Sequence, residues 1–261
     1  MPQRPRDQLR YGPMNPKGTS RGTPGAATDP GVLAAATRAA ELVTDGALVG
    51  LGSGRAASAF IAAIGARARR GLKVSGVPTS EASERPARSL GIPLIEITEE
   101  TLLDLTVDGA DEVSPNLDLV KGRGAAFVRE RIVAAASRRQ VILVSPEKLV
   151  PVLCAKDGFP VEVIPMAAGL AIRRMKALGL TPVARLDPAA GGPLISVNGN
   201  LIFDCACARP LAEPALARTL ETAICRIPGV VDTGLFLGTA ERVLVGHADG
   251  RVDVLKRSEL P

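Results

Sequence analysis

From Asp29 to Val144 the chain alternates short apolar runs with stretches of helical periodicity, and this alternation constrains the fold more than any other feature. Asp29-Pro30 opens the series, because Asp caps a helix start well and Pro suits the first helical position. Val32, Leu33, Ala36, Ala40 and Val43 follow at helical spacing, and this helix is predicted to end near Asp45-Gly46. Ala47–Leu51 reads as a buried strand, followed by a helix over 56–69, a strand at Leu72–Val77, a helix over 80–90 and a strand at Ile92–Ile97. A further strand at Leu103–Val107 precedes a helix over about 125–138 and the strand Val141–Val144. Strands linked through helices lie parallel and need cover on both sides. The predicted fold class is therefore α/β: an open, mostly parallel sheet with helices on both faces, plus a smaller α+β domain.

The smaller domain begins after Pro151, where the pattern changes. Val161–Ile164 is strand-like, residues 168–178 form a basic amphipathic helix, and 213–226 another helix. Leu194–Val197 and Leu201–Asp204 flank Asn198-Gly199-Asn200, a hairpin signal. The last segment pairs Val243–Val245 with Val252–Leu255 around Ala248-Asp249-Gly250-Arg251 and is expected to return to the first sheet. The division expected is a basic, structureless tail over 1–30, an α/β domain over 31–154 and 233–261, and a small α+β domain over 155–232.

Composition excludes several function classes. Five Phe, one Tyr and no Trp leave too few π faces for recognition by base stacking. The net charge of +5 resides mostly in residues 1–30, where Arg4, Arg6, Arg10, Lys17 and Arg21 face only Asp7 and Asp29, so no nucleic-acid partner is expected. Cys154, Cys205, Cys207 and Cys225 include no CxxC pair and read as buried free thiols. No apolar stretch is long enough for a membrane span, and the first 30 residues lack the apolar core of a secretory signal, so the expectation is a cytoplasmic protein without a membrane partner. His247, the single histidine, is expected in a solvated turn rather than as a general base.

Chemistry is expected where the C-terminal ends of parallel strands converge. Gly50-Leu51-Gly52-Ser53-Gly54-Arg55 joins a strand to a helix, so its backbone N–H groups and the helix N-terminus suit a phosphate. Arg55 stands where a dinucleotide-binding loop needs its last Gly, which argues against NAD. Asp108-Gly109-Ala110-Asp111-Glu112 follows another strand, and Lys121-Gly122-Arg123-Gly124-Ala125-Ala126 leads into a helix bearing Glu130. Carboxylates, a lysine and two glycine loops would then meet in one crevice.

These residues carry a resemblance to the A-type ribose-5-phosphate isomerases, covering roughly residues 31–261. Its marks are Gly50–Gly54, Gly76-Val77-Pro78-Thr79-Ser80, Asp108–Glu112, Lys121-Gly122 through Arg129-Glu130, and Pro160–Pro165. Asp204, Ile227–Val231 and Gly234-Leu235-Phe236 complete the series. The resemblance implies aldose–ketose isomerisation through an enediolate in the non-oxidative pentose phosphate pathway, with no metal or other cofactor. It implies Glu130 as the base that moves a proton between C2 and C1, and Lys121 with the Gly122–Gly124 N–H groups as oxyanion stabilisers. Asp108 and Asp111 would contact sugar hydroxyls and assist ring opening, and Lys148 would bind substrate. The remaining substrate contacts are expected from Ser53, Gly54, Arg55, Ala56, Gly109, Ala110, Gly122, Arg123 and Gly124. By the same analogy the partners are a sugar phosphate and further copies of the chain, as a homodimer or homotetramer.

Two positions depart from the family pattern. Arg55-Ala56 stands where a Ser-Thr pair normally meets the phosphate, so Arg55 either replaces those hydroxyls with a charged contact or reshapes the pocket. Arg123 interrupts a run of glycines and either tightens the local field or crowds the substrate. The alternatives to the isomerase reading are therefore a diverged isomerase for another sugar phosphate and a non-catalytic sugar-phosphate sensor.

Overall fold

The computed structural model describes residues 29–257. Nearly all of the expected tail lies outside the described residues. Asp29 caps α1 (Pro30–Ala40), its side chain accepting the Gly31 N–H at 2.8 Å. The helix ends earlier than its periodicity predicts: successive tight turns, Leu42 N–H to Ala39 O and Val43 N–H to Ala40 O, carry the chain off the helix and still bury Val43.

The first sheet is built from β1 (Ala47–Leu51), β2 (Val74–Pro78), β3 (Leu105–Gly109), β6 (Gln140–Val144), β12 (Ala240–Gly246) and β13 (Val252–Lys256), in the order β13-β12-β6-β3-β1-β2. All neighbours are parallel except the β12–β13 edge pair, so the terminal segment does return to this sheet. α2 (Gly54–Ala68) and α1 contribute Phe60, Ile61, Ile64 and a row of alanines to a core closed by Val49, Leu51, Leu105, Val107 and Val141. α3 (Glu81–Ser89) follows β2. Small alanine faces let α1 and α2 lie close together on the sheet.

Ile92–Ile97 departs from its predicted strand. It makes one parallel bridge, Gly76 to Leu94, on the outside of β2. Pro93 offers its carbonyl to the Gly76 N–H at 2.8 Å but has no N–H to return, which stops the ladder.

A second sheet, ordered β10-β7-β9-β8, is antiparallel and consists of β7 (Phe159–Val163), β8 (Leu180–Ala184), β9 (Leu201–Cys207) and β10 (Val230–Thr233). α5 (Ala168–Ala177) and α6 (Pro214–Cys225) pack Ala171, Met175, Ala217 and Ile224 against it. The predicted hairpin is corrected here. Its turn forms, with the Ser196 N–H donating to Asn200 O at 2.8 Å, but only one bridge, Ile195 to Leu201, accompanies it. The segment is held instead by side chains: Ser196, Asn198 and Asn200 all donate to Oε1 of the buried Glu162. β9 is consequently an inner strand, between β7 and β8. Cys225 is exposed, contrary to the expectation of buried thiols, while Cys205 is fully buried beside Met175.

A third sheet joins the other two. β4 (Glu112–Val113), β5 (Leu119–Val120) and β11 (Leu235–Phe236) form a short antiparallel set in the order β11-β5-β4. It carries the chain from β3 to α4 (Phe127–Ala135). Phe127 is fully buried, and its ring occupies the space that a side chain at Gly122 would need. Phe127→Ala is expected to cost about 3–5 kcal/mol, read as a lowered urea midpoint with an unchanged m-value.

Candidate active site

β1, β2, β3 and β6 run parallel, so their C-terminal ends face the same way, and the predicted residues gather at that end. Gly52 follows β1, and a Cβ there would lie 2.3 Å from the Asp108 carboxyl carbon. Glycine is what lets the loop close onto this carboxylate. Asp108 Oδ1 accepts the N–H groups of Ser53 at 3.1 Å and Gly109 at 2.8 Å. Its other oxygen lies 3.1 Å from the Lys121 ammonium.

Lys121 stands just past β5 and is 3% exposed, like Asp108. Its Nζ donates to Gly109 O at 2.5 Å, lies 3.0 Å from Glu130 Oε2 and sits 5.5 Å from the centre of the Phe236 ring. Glu130, in the first turn of α4, is buried too. Its Oε2 has no well-aligned hydrogen-bond donor, so Lys121 holds it chiefly as an ion pair. Two carboxylates and one ammonium thus share a dry site with one excess negative charge.

That excess sets the proton affinities. Burial pushes the Glu130 carboxyl up, Asp108 repels its charge, and Lys121 pulls it partly back, leaving it raised to about 7. Burial alone would lower the Lys121 ammonium, but the attraction of Asp108 and Glu130 outweighs it and holds Lys121 above its ordinary value. The site therefore pairs an ammonium held in its charged form with a carboxyl whose proton affinity lies near neutral pH.

Around this cluster lie the other predicted residues. Asp111 Oδ2 accepts the Arg123 N–H at 3.1 Å, with the Arg123 guanidinium 3.9 Å from the same carboxylate. Arg123 thus spends its N–H on Asp111, whereas the Gly124 N–H is without a partner among the described residues. The Arg123 guanidinium pairs mainly with Asp157. Lys148 is half-buried near Asp111, Arg123 and Lys156; burial, with repulsion from the two cations, holds its ammonium below the usual value. Ala110 follows Gly109 and is partly buried.

Gly54, Arg55 and Ala56 form the first turn of α2, with Ala56 Cβ close beside Gly109. Ser53 does not cap this helix: its hydroxyl bonds Thr79 Oγ1 at 2.8 Å and Ser80 Oγ at 2.6 Å. The first-turn N–H groups of α2 are left uncapped, and Arg55 is exposed without a partner among the described residues.

Two residue pairs lay outside the site expected from the sequence. Thr79 and Ser80 follow β2 and fix Ser53; the Thr-Ser pair was visible as a family mark but had no assigned contact. Arg185, braced by Asp204, reaches the Lys121 loop from the second sheet. Conversely, Glu112 is a structural carboxylate, accepting the Ala155 and Lys156 N–H groups, and His247 is hydrogen-bonded through Nε2 to Asp253 Oδ2 at 2.7 Å in the β12–β13 turn.

A buried carboxylate–ammonium–carboxylate cluster at the C-terminal edge of a mostly parallel sheet is the arrangement of an α/β enzyme suited to moving protons. The family described as ribose 5-phosphate isomerase A (phosphoriboisomerase A) matches residues 75–250. The ribose-5-phosphate isomerase A of Roseiflexus castenholzii is 45% identical over 222 residues, covering 84% of this chain and 93% of that protein. The structure of ribose 5-phosphate isomerase A from Methanocaldococcus jannaschii superposes with a TM-score of 0.82 at 39% identity, covering 88% of this chain and all of the other. A D-ribose-5-phosphate isomerase in complex with phospho-erythronic acid gives 0.83 at 35% identity, covering 89% of this chain and all of the other. The chain belongs to the ribose 5-phosphate isomerase A family.

Among the described residues no helix is long and apolar enough to cross a membrane, and no group of three or more His, Cys, Asp or Glu side chains is arranged to hold a metal ion. Gly52→Ala should displace Asp108, because the methyl cannot fit at 2.3 Å from its carboxyl carbon. The expected outcome is a stability loss of about 1–3 kcal/mol in chemical denaturation, with isomerisation of ribose 5-phosphate reduced by about 10²-fold.

Proposed function

We propose that the protein interconverts D-ribose 5-phosphate and D-ribulose 5-phosphate, an aldose–ketose isomerisation of the non-oxidative pentose phosphate pathway, with Glu130 as the base. The observation that carries this reading is the buried Glu130 oxygen without an aligned donor, 3.0 Å from the Lys121 ammonium. With the open-chain aldehyde bound, the Glu130 carboxylate takes the C2 proton. The C–H electron pair forms the C1–C2 double bond, and the carbonyl electrons move onto O1. A proton passes between O2 and O1, and Glu130 returns its own proton to C1, leaving the ketone at C2. Asp111 suits the hydroxyl proton transfer and ring opening better than Asp108. Its carboxylate is 19% exposed at the edge of the cluster, whereas Asp108 is buried with both oxygens committed.

The phosphate fits the uncapped start of α2, where backbone N–H groups and the helix dipole favour a dianion. Ser53 with the backbone of Gly54 and Ala56 would line this end, Arg55 would supply a charged contact, and Lys148 would add a cation nearer Asp111. Gly109, Ala110, Gly122 and Gly124 form the walls. The complex of the related isomerase with phospho-erythronic acid supports an acidic sugar phosphate as the ligand class. The same reading takes the first sheet with residues 31–154 and 233–261 as the catalytic domain and 155–232 as a small domain. It also takes the protein as cytoplasmic, with exposed Ile164, Met166 and Val231 beside the second sheet as a face for self-association into a dimer or tetramer.

Ribose 5-phosphate should be converted to the ketose, with EDTA present, and absence of conversion at millimolar substrate would refute the reading. Glu130→Gln should lower kcat by about 10³-fold. Because the base must be ionised, kcat/KM should fall about tenfold per unit below pH 7. Stability should move oppositely: the native chain holds the Glu130 proton from 4.5 up to about 7, where the unfolded chain has lost it. Stability therefore declines as pH rises across that window. Thermal unfolding of Glu130→Gln should lack this decline, leaving the variant the more stable protein above pH 7.

Arg55→Ala separates phosphate binding from chemistry. The expected result is a KM for ribose 5-phosphate raised about tenfold with kcat nearly unchanged. An unchanged KM would show that Arg55 does not touch the phosphate.

A further inference from the structure

The loop that carries Lys121 is gripped from the second sheet by a side chain to which the mechanism above gives no part. Arg185 follows β8, and its backbone is fixed on both sides: its N–H donates to Ile202 O at 2.8 Å and its carbonyl accepts from Leu194 N–H at 2.7 Å. The guanidinium binds Asp204 through two bonds, Nε to Oδ2 at 3.0 Å and Nη2 to Oδ1 at 2.5 Å. The remaining nitrogen, Nη1, reaches out of the sheet. It donates to Gly122 O at 2.8 Å and lies 3.3 Å from Arg123 O. The Arg185 side chain is 15% exposed, whereas the Asp204 carboxylate that braces it is 45% exposed.

The geometry of the peptide unit gives this grip a consequence. In a trans peptide the carbonyl and the following N–H point in opposite directions. Two successive carbonyls converge on Arg185 Nη1, so the Arg123 and Gly124 N–H groups both point away from it. For Arg123 the direction is visible: that N–H reaches Asp111 Oδ2 at 3.1 Å. The Gly124 N–H leaves on the side away from Arg185 and has no partner among the described residues. Gly122 adopts φ +111°, with Pro160 and Phe127 filling the place of a Cβ, so the loop has little room for an alternative course.

We propose that Arg185 is a positioning residue of the isomerisation: braced by Asp204, it holds the Gly122 and Arg123 carbonyls and so aims the Gly124 N–H and the Lys121 ammonium at the developing enediolate oxygen. Only a guanidinium suits the task, since a planar fork can bind a carboxylate with two nitrogens and still present a third elsewhere. The inference rests on the isomerase reading for its kinetic consequences, but not for the loop geometry.

The test uses the full-length protein, with Arg185→Ala, Arg185→Lys and Asp204→Asn compared with wild type by turnover of ribose 5-phosphate and by amide hydrogen exchange. Arg185→Ala is expected to lose about 10²-fold in kcat with KM changed by less than about threefold. Added guanidinium at millimolar concentration should restore part of the loss. Arg185→Lys should remain folded and stay close to Arg185→Ala in rate, because one ammonium cannot span Asp204 and the loop carbonyls. Asp204→Asn should show a smaller kcat loss in the same direction. Exchange should rise across residues 121–125 in Arg185→Ala while α4 stays protected.

Wild-type kcat in Arg185→Ala, a defect confined to KM, or unchanged exchange across 121–125 would each overturn the proposal. If Arg185→Ala fails to fold, Arg185→Lys and Asp204→Asn decide it: wild-type kcat in both overturns it. If wild-type protein does not isomerise ribose 5-phosphate, the functional reading fails, and the exchange comparison still decides whether Arg185 orders the loop.

Discussion

A lysine ammonium held between two carboxylates, all three out of water, is the interaction on which the rest of this structure depends. Desolvating such charges is costly, and an ion pair in a protein interior offsets that cost only when its geometry is good and its remaining polar atoms find partners. Here the offsets are visible. Asp108 takes two backbone N–H groups on the oxygen that Lys121 leaves free, and Lys121 takes the Gly109 carbonyl and lies near the Phe236 ring. Glu130 receives the least compensation, and its raised proton affinity records the imbalance. The strain is concentrated on the group proposed to move protons.

The cluster also explains the arrangement of sheets. Asp108 comes from β3, Lys121 from the end of β5, Glu130 from α4, and the N–H groups around Asp108 from the β1–α2 loop and from Gly109 itself. No two of the charged groups are neighbours in sequence, so only the folded chain creates the site. The three-stranded sheet brings the chain from the end of β3 back to the start of α4, and the second sheet fixes the loop from its other side. A site assembled this way is as rigid as its supports, which is the physical basis for the positioning role proposed for Arg185 at the Gly122 carbonyl.

Much of this was legible in the sequence. Asp29-Pro30, the buried runs Ala47–Leu51 and Val141–Val144, and the alternation between them announce parallel strands with helical cover, because burial on both faces leaves a continuous apolar signature. Asp108, Asp111, Lys121 and Glu130 were legible because unusual residues stood at strand ends and glycine loops, and because their order resembles a known family. What escaped has physical reasons. β4, β5 and β11 are two residues each, too short for any periodicity. β8 is broken as a signal by Pro182, tolerated because the strand lies at a sheet edge. Ile92–Ile97 had the right apolar content, but Pro93 removes a donor. Asp204 was visible only as a family mark and Arg185 not at all, since nothing local reveals that Arg185, braced by Asp204, meets a loop some sixty residues earlier in the chain.

The excess negative charge of the cluster bears directly on the proton transfer proposed for Glu130. Before proton transfer the buried charges are Asp108, Glu130 and Lys121; afterwards they are Asp108, the enediolate oxygen and Lys121, with Glu130 neutral. The number of buried charges is unchanged, and one negative charge has moved a short distance past the same ammonium. Most of the desolvation has therefore already taken place when the protein folds, and the reaction asks for little reorganisation of its surroundings. A carboxylate solvated at its ordinary proton affinity would be a far weaker base toward carbon, and a lone buried one would stay protonated at neutral pH. Lys121 resolves this conflict: it draws Glu130 down to about 7, where a large fraction is ionised in the neutral range, and remains in place as counter-ion when the charge passes to the substrate.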